Sequence, residues 1–130
     1  ISIHADPQDE YPFFSGFADE VGGEKAEGSN LNLPLKKGCD DQAYLNALDL
    51  ALERIEKFQP LWMVLSAGYD TSLADPSTFF ELSDDVFTQI GKKLARCQLP
   101  TVIVHEGGYA VEKNGILAAN LLNGLFQDYN

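Results

Sequence analysis

Apolar and polar positions alternate along this chain in two rhythms, and the strongest signal lies in its middle. Leu61 to Ala67 (LWMVLSA) is an apolar run closed by Ser66-Ala67, with Pro60 before it and Gly68 after it. A run so short, between a Pro and a Gly, reads as a strand buried on both faces rather than a helix. Ile1 to Ala5 alternate with period two and stop at Asp6-Pro7, because Pro7 has no N–H for a ladder. Leu31 to Leu35 alternate again, and Pro34 suits an edge position. Thr101 to Val104 is a further short β-branched run, ended at Glu106-Gly107-Gly108-Tyr109.

Between these runs the period changes to that of a helix. Tyr44, Leu45, Leu48, Ala51, Leu52, Ile55 and Phe58 form one stripe, opened by Asp40 and Asp41 and carrying Lys57 near its end. The Leu61–Ala67 run follows directly and makes a strand-helix-strand unit. Ser83 is the expected N-cap of a second helix, with Asp84 and Asp85 in its first turn and Val86, Ile90, Leu94 and Cys97 on one face. A third helix is expected over Val111 to Phe126, with Leu117, Leu121, Leu122 and Leu125 inward. Strands alternating with helices predict an α/β fold with a mainly parallel sheet.

Composition narrows the function. At 130 residues and 45% hydrophobic, the chain suits one globular domain or a piece of a larger one. Ile1 is not Met and already lies in a strand pattern, so a longer chain is expected. Nine Lys and Arg stand against 20 Asp and Glu, a formal charge of −11 that argues against direct nucleic-acid binding. The same charge suits a cationic substrate, or mere solubility. No apolar run approaches the about 18 residues of a membrane span, so no membrane partner is expected. Cys39 and Cys97 are isolated and read as reduced buried thiols in a cytoplasmic protein.

Candidate chemistry gathers where the strands end, which in a parallel sheet is one edge. Asp6 leads into an aromatic loop, Tyr11-Pro12-Phe13-Phe14, within a long Gly-rich stretch. Gly68 allows a sharp turn that leaves Asp70 at a strand end, where a carboxylate must be hydrated, paired or coordinated. A turn or cap aspartate fits that position equally well. Gly107-Gly108 would set Tyr109 at the neighbouring end. A lone His4 in a strand reads as a satisfied core residue before it reads as a ligand. There is no G-x-S-x-G elbow, no phosphate-binding glycine loop and no H-E-x-x-H.

Taken in order, S-I-H-A-D-P, Y-P-F-F-S-G, N-L-N-L-P, S-A-G-Y-D-T followed by D-P, and H-E-G-G-Y resemble the carboxyl-terminal half of a zinc-dependent deacetylase domain. The family is that of histone deacetylases and acetylpolyamine amidohydrolases, and the likeness covers nearly the whole chain, residues 1–130. It implies a three-layer α/β/α sandwich of the arginase/deacetylase type. It implies that Asp70 is a carboxylate zinc ligand and that Tyr109 hydrogen-bonds the substrate carbonyl as it becomes an oxyanion. Phe14, Gly107 and Gly108 match the walls of the acyl channel. Ser2, by its hydroxyl, and Ile3, by its carbonyl, match ligands of a structural potassium ion. The family's other two zinc ligands and its tandem histidines would lie before Ile1, so this chain should hold half of a site, with the apolar faces left by the missing half favouring self-association.

The implied activity is hydrolysis of the acetyl, or a related acyl, amide of a lysine or a polyamine. A histidine in place of Tyr109 would have marked the family's weakly active branch. Two other readings stand beside it: a non-catalytic piece that binds or assembles, and a phosphoaspartate receiver with Asp70 as acceptor. The receiver is the weaker, since the late strand leads into Glu106-Gly107-Gly108 with no lysine.

Overall fold

In the computed structural model, which describes residues 1–77 and 79–127, the period-two runs become strands and the longer runs become helices. Their order is β1 (Ser2–Ala5), β2 (Asn32–Leu35), α1 (Asp41–Phe58), β3 (Met63–Ala67), α2 (Val86–Ala95), β4 (Thr101–His105) and α3 (Val111–Phe126). The strands pair in parallel as β1 with β2 and β3 with β4. Pro34 faces His4 across the first pair and Leu65 faces Ile103 across the second. The expected unit of β2, α1 and β3 is therefore not a paired one. The parallel crossover that closes is β3–α2–β4.

Local chemistry sets the helix ends. The Asp40 carboxylate accepts a 2.9 Å bond from the Ala43 N–H and caps α1, while Gln59 takes a left-handed φ of 53° at its far end. Ser83 does not cap α2. Its N–H and hydroxyl both donate to the Asp41 carboxylate, at 2.8 and 2.6 Å, tying the start of α2 to the start of α1. Asp84 and Asp85 precede the helix, and Asp84 pairs with Lys113 of α3 at 2.6 Å.

The helices cover one side of the β3–β4 pair. Leu82, Val86 and Leu117 are fully buried, with Tyr69, Phe80, Phe87 and Leu121 around them and Met63, Leu65 and Ile103 packed against the cluster. The opposite side is open: Val64, Val102 and Val104 are 51%, 58% and 43% exposed. Within the described residues that strand is therefore covered on one face, where both faces were expected to be buried. Alternation places Met63 and Leu65 on the helices, and no described element covers Val64. Phe58 and Leu122 also lie outward rather than in their helices' buried stripes.

Two glycines let α2 and α3 touch backbone to backbone. A Cβ on Gly124 would overlap the Thr88 carbonyl oxygen, and a Cβ on Gly91 that of Leu121. Alanine gains about 1 kcal/mol in helix propensity over glycine. Overlap with a rigid backbone typically costs about 1–3 kcal/mol or more, and here no flexible side chain can yield. Gly124→Ala is therefore expected to lower the stability of the complete protein, read as a lower urea midpoint with unchanged slope. An unchanged or higher midpoint would show that the helices separate freely.

Candidate functional site

The β3–β4 ladder continues past both strands and builds the site. The Glu106 N–H donates to the Ala67 carbonyl at 3.1 Å, and the Tyr69 N–H to the Gly107 carbonyl at 2.9 Å. Tyr69 is buried, with its ring 5.8 Å from Phe87 and 5.2 Å from His105, and burial pushes its phenol pKa up. That anchor leaves the next residue, Asp70, at the carboxyl end of the sheet.

Asp70 lies in a notch made by two glycines. A Cβ on Gly68 would stand 2.7 Å from its Oδ1, and a Cβ on Gly107 would overlap its Oδ2. Gly107 is needed here for room and not for an unusual φ, and that purpose was not legible in the Gly-Gly pair. Burial raises the Asp70 carboxyl pKa, its own backbone N–H works against this, and the carboxylates of Asp75 and Glu106 add to the rise. No cationic side chain is among these influences. A half-buried carboxylate with acidic neighbours and no counter-charge is a donor suited to a metal cation.

By themselves these residues do not complete a zinc centre. Among the described residues no three His, Cys, Asp or Glu side chains come together, whereas zinc sites use three or four protein ligands. Asp70 fits as a single oxygen donor, and a complete zinc centre would need further donors from outside these residues.

Of the other predicted positions, some share a cavity with that carboxylate and some do not. Ser2 and Ile3 line the same cavity as Asp70 and Gly107, a cleft of about 560 Å³ between the two strand pairs. His4 is a satisfied residue, as expected. Its Nε2 donates to the Gly16 carbonyl at 2.8 Å, so Nδ1 accepts from the Ser2 hydroxyl at 2.7 Å. With its proton turned to His4, the Ser2 oxygen keeps its lone pairs free for a cation. Gly16 sits at φ +100°, and a Cβ there would meet His4 Nε2 at 2.7 Å, so this contact docks the aromatic loop on β1. Phe13, at φ 65°, and Phe14 are exposed on that loop, and Phe14 is 79% accessible. Gly108, at φ +136°, and the exposed Tyr109 follow Gly107. The cleft does not include Phe14, Gly108 or Tyr109.

One residue of this site was marked in the sequence only as the Asp of the D-P that follows S-A-G-Y-D-T, with no role attached. Asp75 is buried, and its carboxylate accepts the backbone N–H groups of Tyr109 and Ala110 at 2.6 and 3.1 Å. Burial pushes its pKa up, but bonds from the Ser77 hydroxyl, the Tyr109 N–H and further backbone donors outweigh this and hold it below the usual carboxylate range.

The model of the histone deacetylase domain matches residues 1–125. The chain belongs to the histone deacetylase family. Among its relatives, acetylpolyamine amidohydrolase 1 of Pseudomonas aeruginosa is 46% identical over 123 residues, covering 95% of this chain and 36% of that protein. The acetylpolyamine amidohydrolase of Burkholderia pseudomallei is 38% identical over 124 residues, again 95% of this chain and 36% of the relative. A crystal structure of the acetylpolyamine aminohydrolase from Burkholderia pseudomallei matches with a TM-score of 0.93 at 38% identity, over 96% of this chain and 36% of that one. A deacetylase homologue solved with SAHA matches at 0.83 and 32% identity, over 95% of this chain and 34% of that one. The fold is therefore the deacetylase fold, and the chain spans about a third of the length of these deacetylase relatives.

Proposed function

We propose that this chain is part of a zinc-dependent deacetylase that hydrolyses the acetyl amide of an amine, with a polyamine preferred to lysine. The observation that carries the reading is the Asp70 carboxylate, with no cationic side chain among its influences and held between Gly68 and Gly107, of which Gly107 opens the turn that leads to Tyr109. The substrate preference rests on the acetylpolyamine amidohydrolase relatives at 46 and 38% identity and on a formal charge of −11, which draws polycations. In the complete protein Asp70 would hold zinc together with donors from elsewhere. Ser2 and Ile3 would hold potassium beneath the site. A bound zinc ion supplies an acidified water and a polarised carbonyl. Tyr109 donates its hydroxyl proton in a hydrogen bond to the carbonyl oxygen as charge develops there. Phe14, Gly107 and Gly108 line the path of the acyl chain.

Acetate release decides the matter. The complete protein, loaded with zinc, is expected to deacetylate an N-acetylated polyamine faster than an acetyl-lysine peptide. A chelator should stop both reactions and added zinc restore them. No turnover of either amide by the zinc-loaded protein overturns the proposal.

A second reading applies to the chain by itself, a non-catalytic piece that assembles. It is favoured by the absence of a three-ligand cluster among the described residues. The open side of the β3–β4 pair, with Val64, Val102 and Val104 exposed, and the strand edges that no described residue pairs favour self-association. Sedimentation at micromolar concentration in moderate salt is expected to show dimers or larger species, and a clean monomer would refute this. No helix of the described residues is long and apolar enough to cross a membrane. A cytoplasmic location is supported by two free thiols, of which Cys39 is buried, with its pKa pushed up to about 11 mainly by that burial, and cell fractionation checks it.

A further inference from the structure

We propose that Asp75 is a positioning residue for Tyr109, acting through the backbone on which the phenol is mounted. The inference rests on the reading of Tyr109 as the oxyanion donor given above.

A single peptide group sets the direction of the phenol. Between Gly108 and Tyr109 the carbonyl and the N–H belong to the same plane, and each is held by a different side chain. Asn114, on the first turns of α3, donates its Nδ2 to the Gly108 carbonyl at 2.9 Å. Asp75, on the loop after β3, accepts the Tyr109 N–H at 2.6 Å and then the Ala110 N–H at 3.1 Å. With both ends fixed the plane cannot rotate, and the direction in which Tyr109 leaves the backbone is set. Gly108 permits this at φ +136°, and a Cβ there would meet Asn114 Oδ1 at 2.8 Å.

Asp75 is itself immobile. Its other oxygen accepts the Ser77 N–H at 2.9 Å and the Ser77 hydroxyl at 2.6 Å. Its own N–H donates to the carbonyl of the buried Ser72 at 2.9 Å, and the neighbouring Leu73 N–H donates to the Leu82 carbonyl at 2.9 Å. The residue is 3% exposed. A buried carboxylate of this kind needs the donors it has. Because Asp70 and Asp75 ride on one loop, the geometry couples the expected metal ligand to the expected oxyanion donor across two strand ends.

Capping of α3 alone would use the same bonds, so the test must separate helix support from aim. In the complete zinc-loaded protein, Asp75→Asn keeps the shape but turns an acceptor-only group into one that also carries donors. It is expected to lower kcat about 10- to 100-fold, the scale of a misplacement near 1 Å, with KM and zinc content little changed. In a Tyr109→Phe background the same substitution should lower kcat less than about 3-fold, because no hydroxyl remains to aim. Equal losses in both backgrounds would overturn the proposal. Amide exchange gives a reading that needs no activity: Tyr109 and Ala110 should exchange faster in Asp75→Asn while Leu121 and Leu125 stay protected. Unchanged exchange at Tyr109 also overturns it. Should Asp75→Asn fail to fold, Asn114→Ala frees the other end of the same peptide, and it must show the same kcat loss and the same dependence on Tyr109. If the unsubstituted zinc-loaded protein turns over no acetyl amide, the functional reading fails, while exchange still decides whether Asp75 holds the turn.

Discussion

Asp70→Asn in the complete protein is expected to abolish both zinc retention and amide hydrolysis while leaving the fold intact. The two side chains have the same shape, so the amide can occupy the notch of Gly68 and Gly107 that admits the carboxylate. What is lost is the charge. An uncharged amide oxygen is a poor partner for zinc, and loss of even an outer supporting group typically lowers metal affinity about 10- to 100-fold. Removal of a direct anionic ligand should exceed that range. Stability without metal should move the other way. Burial and the carboxylates of Asp75 and Glu106 disfavour the ionised Asp70, so its neutral replacement relieves repulsion. The metal-free variant is therefore expected to melt at or above the metal-free parent, a sign that the site trades stability for function. Metal analysis, acetate release and a melting curve read the three quantities. Zinc retained at full occupancy by Asp70→Asn would remove Asp70 from the metal site. The 130-residue chain tested alone should bind zinc weakly, since the described residues form no three-ligand cluster.

Local signals were legible in the sequence where one residue type settles a local geometry. Asp40 caps α1 because a short acceptor precedes an apolar stripe, and α3 runs over Val111–Phe126 as its leucine spacing requires. The carboxylate at the end of β3 could be placed because Gly68 ends an apolar run. Contacts between distant segments were not legible. Ser83 looked like a cap, but Asp41, 42 residues away, takes both of its donors. Asp75-Pro76 reads as a turn, and one Asp75 oxygen does serve Ser77 two residues on, but the other takes partners 34 and 35 residues away. The runs containing Val64 and Val102 are apolar on both faces, and periodicity cannot say which face has a cover in the described residues. Gly107 carried the same ambiguity: its pairing with Gly108 suggested backbone freedom, which only Gly108 uses, whereas Gly107 makes room for Asp70.

Tyr109→Phe is expected to lower kcat for deacetylation by about 100- to 1000-fold, the usual loss for one oxyanion donor, with KM changed by no more than a few-fold. The separation follows from where the hydroxyl acts. A ground-state amide oxygen carries a partial charge and accepts a modest hydrogen bond. The tetrahedral oxyanion carries a full charge and accepts a much stronger one. An interaction that strengthens as the reaction proceeds affects kcat more than binding. The ring remains in the variant, so any apolar contact it makes with the acyl group remains too. Folding should be unaffected, because Tyr109 is 63% exposed and is held by its backbone, through Asp75, rather than by its side chain. Zinc content should be unchanged, which distinguishes this variant from Asp70→Asn. An equal rise in KM with kcat preserved would make Tyr109 a substrate-binding residue only. Turnover at the parental rate would show that the oxyanion is stabilised without this phenol, and that the Gly107–Tyr109 turn serves the site only by making room for Asp70.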